Sequence, residues 1–159
     1  MLSNRLKNVV SQVNTGNLIA DIGTDHGYVP IYLIKNSIAK KAIAADISKG
    51  SCDKAKTNIS LYGLNDKIDV RCGNGLEIIK DSEIIDTIII SGMGGLLTID
   101  VLKSNEKAVK NANQLILQPQ RDIEKVRAYL HSINYKIINE EMLMESGKYY
   151  TIINAVKGS

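Results

Sequence analysis

Asp21-Ile22-Gly23-Thr24-Asp25-His26-Gly27 is the stretch of this chain richest in reactive groups, with two carboxylates, a hydroxyl and an imidazole within seven residues that include two glycines. An apolar run precedes it and a helical pattern follows, which is where open α/β sheets hold nucleotides. A dinucleotide fingerprint needs a glycine at the place of Asp25, so that the backbone can approach a pyrophosphate, and a carboxylate there repels phosphate. This weakens NAD, FAD and nucleoside triphosphate readings. With no Gly-Lys-Ser/Thr behind it, the loop is not a Walker loop either. A nucleoside cofactor without phosphates remains, and S-adenosylmethionine fits because it carries a sulfonium and an amino group that Asp21 and Asp25 can face.

Three other places complete the pattern. Asp46 lies 25 positions beyond Asp21 at the end of the second apolar run, where an acid takes ribose hydroxyls in doubly wound folds; otherwise it simply precedes the Ser48 helix cap. Gly73-Asn74-Gly75 closes the third run, with Asn74 able to meet an adenine amino group, or to form a plain turn. Ser91-Gly92-Met93-Gly94-Gly95 follows the fourth run; its glycines admit a large planar base and Ser91 offers a hydroxyl, or the segment is a flexible loop before a helix. The Asp/Asn-Pro-Pro-aromatic pattern of enzymes that methylate exocyclic adenine amines is absent. It is the conjunction of these loops at successive strand ends that argues for one nucleoside pocket.

Positioning these loops requires a sheet. Short β-branched runs at Leu18–Ile22, Ala42–Ile47, Ile68–Cys72, Thr87–Ile90 and Leu115–Gln118 alternate with helical stretches, the pattern of a parallel sheet covered on both faces. The uninterrupted Ile88-Ile89-Ile90 predicts a central strand. Leu2, Leu6, Val9, Val10 and Val13 predict an opening amphipathic helix with Arg5 and Lys7 off its apolar stripe. Ser48 caps a helix whose Cys52, Ala55, Ile59 and Tyr62 share one face, so that Cys52 reads as core, and which stops at Gly63; another begins near Asp122. Tyr135–Met144 and Tyr149–Val156 are too close in sequence for a crossover and must pair antiparallel. The expected fold is a Rossmann-like α/β sheet of five parallel strands plus a C-terminal antiparallel hairpin, with helices on both faces.

Composition narrows the partners. The 159 residues, 44% hydrophobic and 23% charged, suit one domain spanning 1–159. All seven aromatic residues are Tyr, which argues against stacked-Phe or Trp-rich nucleic-acid platforms. Net charge +3 allows one basic face, and Arg5, Lys7, Lys40, Lys41, Arg121 and Lys125 either collect phosphates or are merely solvated. Cys52 and Cys72 have no metal-ligand spacing and read as reduced core residues; His131 reads as a surface residue. With no apolar leader and no membrane-length run, the expectation is a cytoplasmic protein without membrane or metal partners, and a monomer.

Asp21-Ile-Gly-Thr-Asp-His-Gly-Tyr28-Val-Pro30, Ser91-Gly-Met-Gly-Gly95, Leu117-Gln118-Pro119 and the opening Leu2-Ser3-Asn4-Arg5-Leu6 together resemble the bacterial tRNA adenine-22 N1-methyltransferases, the TrmK family, over essentially the whole chain. The resemblance implies methyl transfer from S-adenosylmethionine to N1 of adenine 22 in tRNA. It carries cofactor roles onto Asp21, Gly23, Thr24, His26, Asp46, Asn74 and Ser91, to which the neighbouring Gly27, Ile47, Gly75 and Gly92 are added as the cofactor-binding set. His26, Tyr28 and Arg5 are expected at the target adenosine or its phosphate. Adenine N1 carries a lone pair, so positioning is the main expected contribution, with Asp25 and His26 the candidates for relieving the charge of the product. Asp25 is alternatively a helix cap, His26 a loop-fixing hydrogen-bonder and Tyr28 a packing residue. The family's basic helical C-terminal extension is expected to be absent, since the chain stops soon after the hairpin.

Overall fold

The structure, a computed structural model, describes residues 2–158. Strands β1 (Gly16–Ile22), β2 (Ala39–Asp46), β3 (Ile68–Cys72), β4 (Thr87–Met93), β5 (Gln114–Pro119), β6 (Tyr135–Glu145) and β7 (Lys148–Lys157) form one sheet in the order β3-β2-β1-β4-β5-β7-β6. The first five run parallel; β7 pairs antiparallel with both β5 and β6. The expected hairpin is present, folded so that its second strand inserts beside β5 and its first becomes the sheet edge. Ile88, Ile89 and Ile90 have no exposed surface and sit mid-sheet, in agreement with their unbroken apolar run.

Helices α1 (Asn4–Ser11), α2 (Tyr28–Lys35) and α3 (Lys49–Leu61) cover one face, where Val9, Ile31 and Ile59 pack on Ile19, Ala44 and Ile89. Helices α4 (Gly95–Lys103), α5 (Glu106–Asn111) and α6 (Ile123–Ser132) cover the other, through Leu102, Val109 and Leu130 against Ile88, Ile90 and Leu115. The caps follow the local sequence. Ser3 Oγ accepts from the Leu6 amide to start α1, Ser48 Oγ from the Ser51 amide to start α3, and Gly63 at φ +69° lies just beyond the end of α3.

Cys52 is buried as expected, but Cys72 is exposed, because it ends the edge strand β3 where nothing covers it. Tyr62, at the C-terminal end of α3, is exposed, while Cys52, Ala55 and Ile59 on the same helix are buried. Among the described residues, no helix is long and apolar enough to cross a membrane, and no cluster of three or more His, Cys, Asp or Glu is placed to hold a metal ion.

Candidate active site

The carboxyl ends of β1, β2 and β4 converge on a cavity of about 330 Å³. Ten of the residues expected to form the site line it: Arg5, Asp21, Gly23, Thr24, Asp25, His26, Tyr28, Asp46, Ser91 and Gly92. Leu6, Val29 and Met93 complete the wall. Four expected residues stand outside it. Gly27 is turned toward α3, where a Cβ would press on Ala55; Ile47 and Asn74 are exposed beyond the ends of β2 and β3; Gly75 packs against Ser104.

The loop after β1 is held open by its backbone. The Gly23 and Thr24 amides both donate to the Ala45 carbonyl at 2.9 Å, anchoring the turn to β2. Gly23 has φ +78°, a left-handed conformation that glycine adopts without strain, and a Cβ there would press on the flexible end of Met93. Asp25 also adopts a left-handed conformation, φ +59°, which Asp tolerates better than most residues.

Asp21 is 3% exposed, and burial, with a smaller push from Asp46, raises its carboxyl from 3.8 to about 7. The Thr24 hydroxyl draws it downward, from a geometry short of a full hydrogen bond. A cation placed beside Asp21 would restore its charge, which is how a buried carboxylate selects a positive ligand. Asp46 is held by the backbone: Oδ2 accepts from the Asp25 amide and Oδ1 from the Ser48 amide, each at 3.0 Å. It serves the turn before α3, one of its two expected roles, and its carboxylate also lines the cavity with acceptor capacity to spare.

At the mouth, His26 Nδ1 lies 3.0 Å from Asp25 Oδ2, and the imidazole stacks on Tyr28 with centroids 5.5 Å apart and planes 6° apart. Ser51 Oγ donates to Asp25 Oδ1 at 3.5 Å. Asp25 therefore orients His26; it does not cap α2, whose N-cap is Gly27 without a side-chain bond. Pairing at Nδ1 leaves Nε2 as the imidazole atom open to substrate. The β4 strand runs on past the expected loop start: Ser91 and Gly92 belong to it, and its register with β5 breaks between Ser91 and Met93, with Gly92 at φ +77°. The Gly95 amide donates to the Arg121 carbonyl at 2.8 Å, and a Cβ at Gly95 would run into that same oxygen.

Sequence reasoning placed Gln118 in the Leu117-Gln118-Pro119 motif but assigned it no role at the site; it lies one residue before the end of β5, fully buried, and contacts both Arg5 and Gly92. The signal was a polar residue closing an otherwise apolar run, Leu115-Ile116-Leu117. Three buried polar side-chain atoms among the described residues lack a hydrogen-bond partner, Arg5 Nε, Thr24 Oγ1 and Gln118 Nε2, and all belong to residues in or against this site. Unpaired buried polar atoms cost stability, so their concentration here marks a place shaped for a ligand.

Fold and loops together define a methyltransferase, and the family model described as a methyltransferase domain matches residues 2–153. The tRNA (adenine(22)-N(1))-methyltransferase of Bacillus subtilis is 40% identical over 99% of this chain and 66% of its own length. The crystal structure of the B. subtilis m1A22 tRNA methyltransferase TrmK superposes with TM-score 0.93 at 39% identity, over 100% of this chain and 68% of that one. That of M. capricolum TrmK, in complex with S-adenosyl-homocysteine, superposes with TM-score 0.92 at 36% identity, over 99% and 69%. The chain belongs to the TrmK family of tRNA adenine-22 N1-methyltransferases and spans about two thirds of the length of these relatives.

Proposed function

We propose that the chain transfers the methyl group of S-adenosylmethionine to N1 of adenine 22 in tRNA. The observation that carries this reading is the cavity at the strand ends, built round a buried Asp21 in a chain of this family. The residues fit that cofactor: the raised carboxyl of Asp21 calls for a cationic partner, the Thr24 hydroxyl has an unused donor, and Gly23 lacks the side chain that would fill the cradle.

When bound, S-adenosylmethionine supplies an activated methyl group on a sulfonium. Asp21 and Thr24 hold its charged end, and Asp46 takes the ribose hydroxyls, with Ile47, Asn74 and Gly75 at the rim toward the base. The acceptor side is formed by Ser91 and Gly92, His26, Tyr28 and Arg5. Tyr28 and His26 offer a stacked plane to the target base, and Arg5 offers a cation to its phosphate. The lone pair of adenine N1 makes a protein nucleophile unnecessary, so alignment is worth on the order of 7–11 kcal/mol of the barrier. Methylation leaves the base cationic; His26 Nε2, oriented by Asp25, accepts the proton that the exocyclic amine then gives up.

Labelled S-adenosylmethionine incubated with an unmodified tRNA transcript tests the proposal. Label incorporated into the transcript, and lost when adenine 22 is replaced by guanine, is the expected result. Label that persists after the replacement, or none at all, contradicts it.

A further inference from the structure

We infer that Gln118 is a positioning residue, which fixes Arg5 and the Gly92 turn relative to one another for transfer to the base; this rests on the acceptor-side reading above. Gln118 is the penultimate residue of β5 and is completely buried, yet it contributes nothing to the wall of the cavity itself. Its Oε1 accepts two hydrogen bonds, from Arg5 Nη1 at 2.9 Å and from the Gly92 amide at 3.0 Å. One atom thus joins the N-terminal helix to the last residues of β4.

The two donors also fix which way the amide points, because a flipped side chain would set its NH₂ against both of them. In this orientation Nε2 is buried with no acceptor. Packing alone favours an apolar side chain of the same length at such a position, so the amide is explained by the clamp its oxygen makes.

Both ends of the clamp need it. Gly92 sits at φ +77° beside a break in the β4–β5 register, where the strand ladder does not hold its amide. Among the described residues, the Arg5 guanidinium is otherwise steered by a 3.8 Å approach to Glu145 and by the Tyr150 ring, 5.2 Å from its carbon. Without Gln118, the guanidinium can swing across the mouth and the Gly92 turn can relax. Cofactor binding, centred on Asp21 and Asp46, does not depend on either.

Two variants test this in the full chain. Gln118→Met keeps the length and removes the acceptor; Gln118→Glu keeps the acceptor and removes the idle donor. We expect Gln118→Met to lower kcat on tRNA roughly 10- to 100-fold with cofactor Kd within about threefold of wild type, and Gln118→Glu to recover roughly a third or more of the loss in kcat. Hydrogen exchange at the Gly92 amide should accelerate in Gln118→Met and stay slow in Gln118→Glu. In an Arg5→Met background, Gln118→Met should cost much less than it does alone, because the two act as a unit. A kcat within twofold of wild type in Gln118→Met, cofactor affinity falling in step with kcat, or strict additivity with Arg5→Met would overturn the inference. If the wild-type chain methylates no tRNA, the functional reading fails, and Gly92 exchange still decides whether the clamp exists.

Discussion

Asp21 carries the largest energetic consequence of any single residue in the site. Its carboxyl titrates at about 7 in the folded protein against an ordinary 3.8, so the folded state holds the proton more tightly than the unfolded one. The resulting stabilisation is complete below the ordinary value and is lost as pH rises through about 7; the full span corresponds to roughly 4 kcal/mol. Asp21→Asn is therefore expected to melt well above wild type near pH 8 and by a clearly smaller margin near pH 5, which calorimetric melting at the two pH values checks. The stability that the native acid gives up is the measure of its readiness for a cation. His26 makes a contrasting case, since it stands at the open mouth with Asp25 behind it. His26→Ala should lower turnover roughly 10- to 100-fold while cofactor affinity stays within about threefold; equal losses in a steady-state and calorimetric comparison would make it structural.

Helix α1 shows how an element serves a site distant in sequence. Its apolar stripe docks on the α2 and α3 side of the sheet, and this places Arg5 and Leu6 on the cavity. Ser3 starts the helix, so Ser3→Ala should cost about 1 kcal/mol in urea unfolding and raise KM for tRNA more than it weakens cofactor binding. This helix, the five parallel strands and the antiparallel pairing of the last two were legible in the sequence, because β-branched runs and a 3.6-residue stripe report local burial directly. Insertion of β7 between β5 and β6 was not, since both orders bury the same faces. Cys72 was misread for a related reason: an apolar residue at a strand end says nothing about whether that strand lies at the sheet edge. The site divides along the same line. Glycines and acids at the ends of β1, β2 and β4 announced themselves by residue type, whereas Leu6, Val29 and Gln118 reach the site through packing that only the folded chain defines.

At the scale of the molecule, two aliphatic layers hold a rigid sheet, and the candidate chemistry gathers at one end of it, on strand ends, the loop after β1 and the first turns of α1 and α2. The opposite end is stapled by contacts such as the Tyr135 hydroxyl, which donates toward the Val109 and Ala112 carbonyls and whose burial pushes its pKa up to about 12. Beside the sheet, Arg71 grips Glu83 through two hydrogen bonds of 2.6 and 2.7 Å, holding that carboxyl down at about 2. Stability from this pair is present above the ordinary carboxylate range and lost as pH falls toward 2, so Glu83→Gln should flatten the acid limb of the unfolding curve. Under the proposed function, net charge +3 and the lack of Phe and Trp predict that tRNA is held mainly through phosphates. Its affinity should fall roughly tenfold or more between 50 and 200 mM salt while cofactor affinity stays level, as parallel filter-binding and calorimetric titrations would show.

The most direct test of a site built round a buried acid is to titrate wild type and Asp21→Asn with S-adenosylmethionine at about pH 6 and about pH 7.5. Cation binding releases the Asp21 proton, so wild-type affinity should rise roughly eightfold over that interval, and the Asn variant should lose most of its affinity and all of its pH dependence. An Asn variant that binds as tightly as wild type, or wild-type affinity that is flat across the interval, would contradict the account.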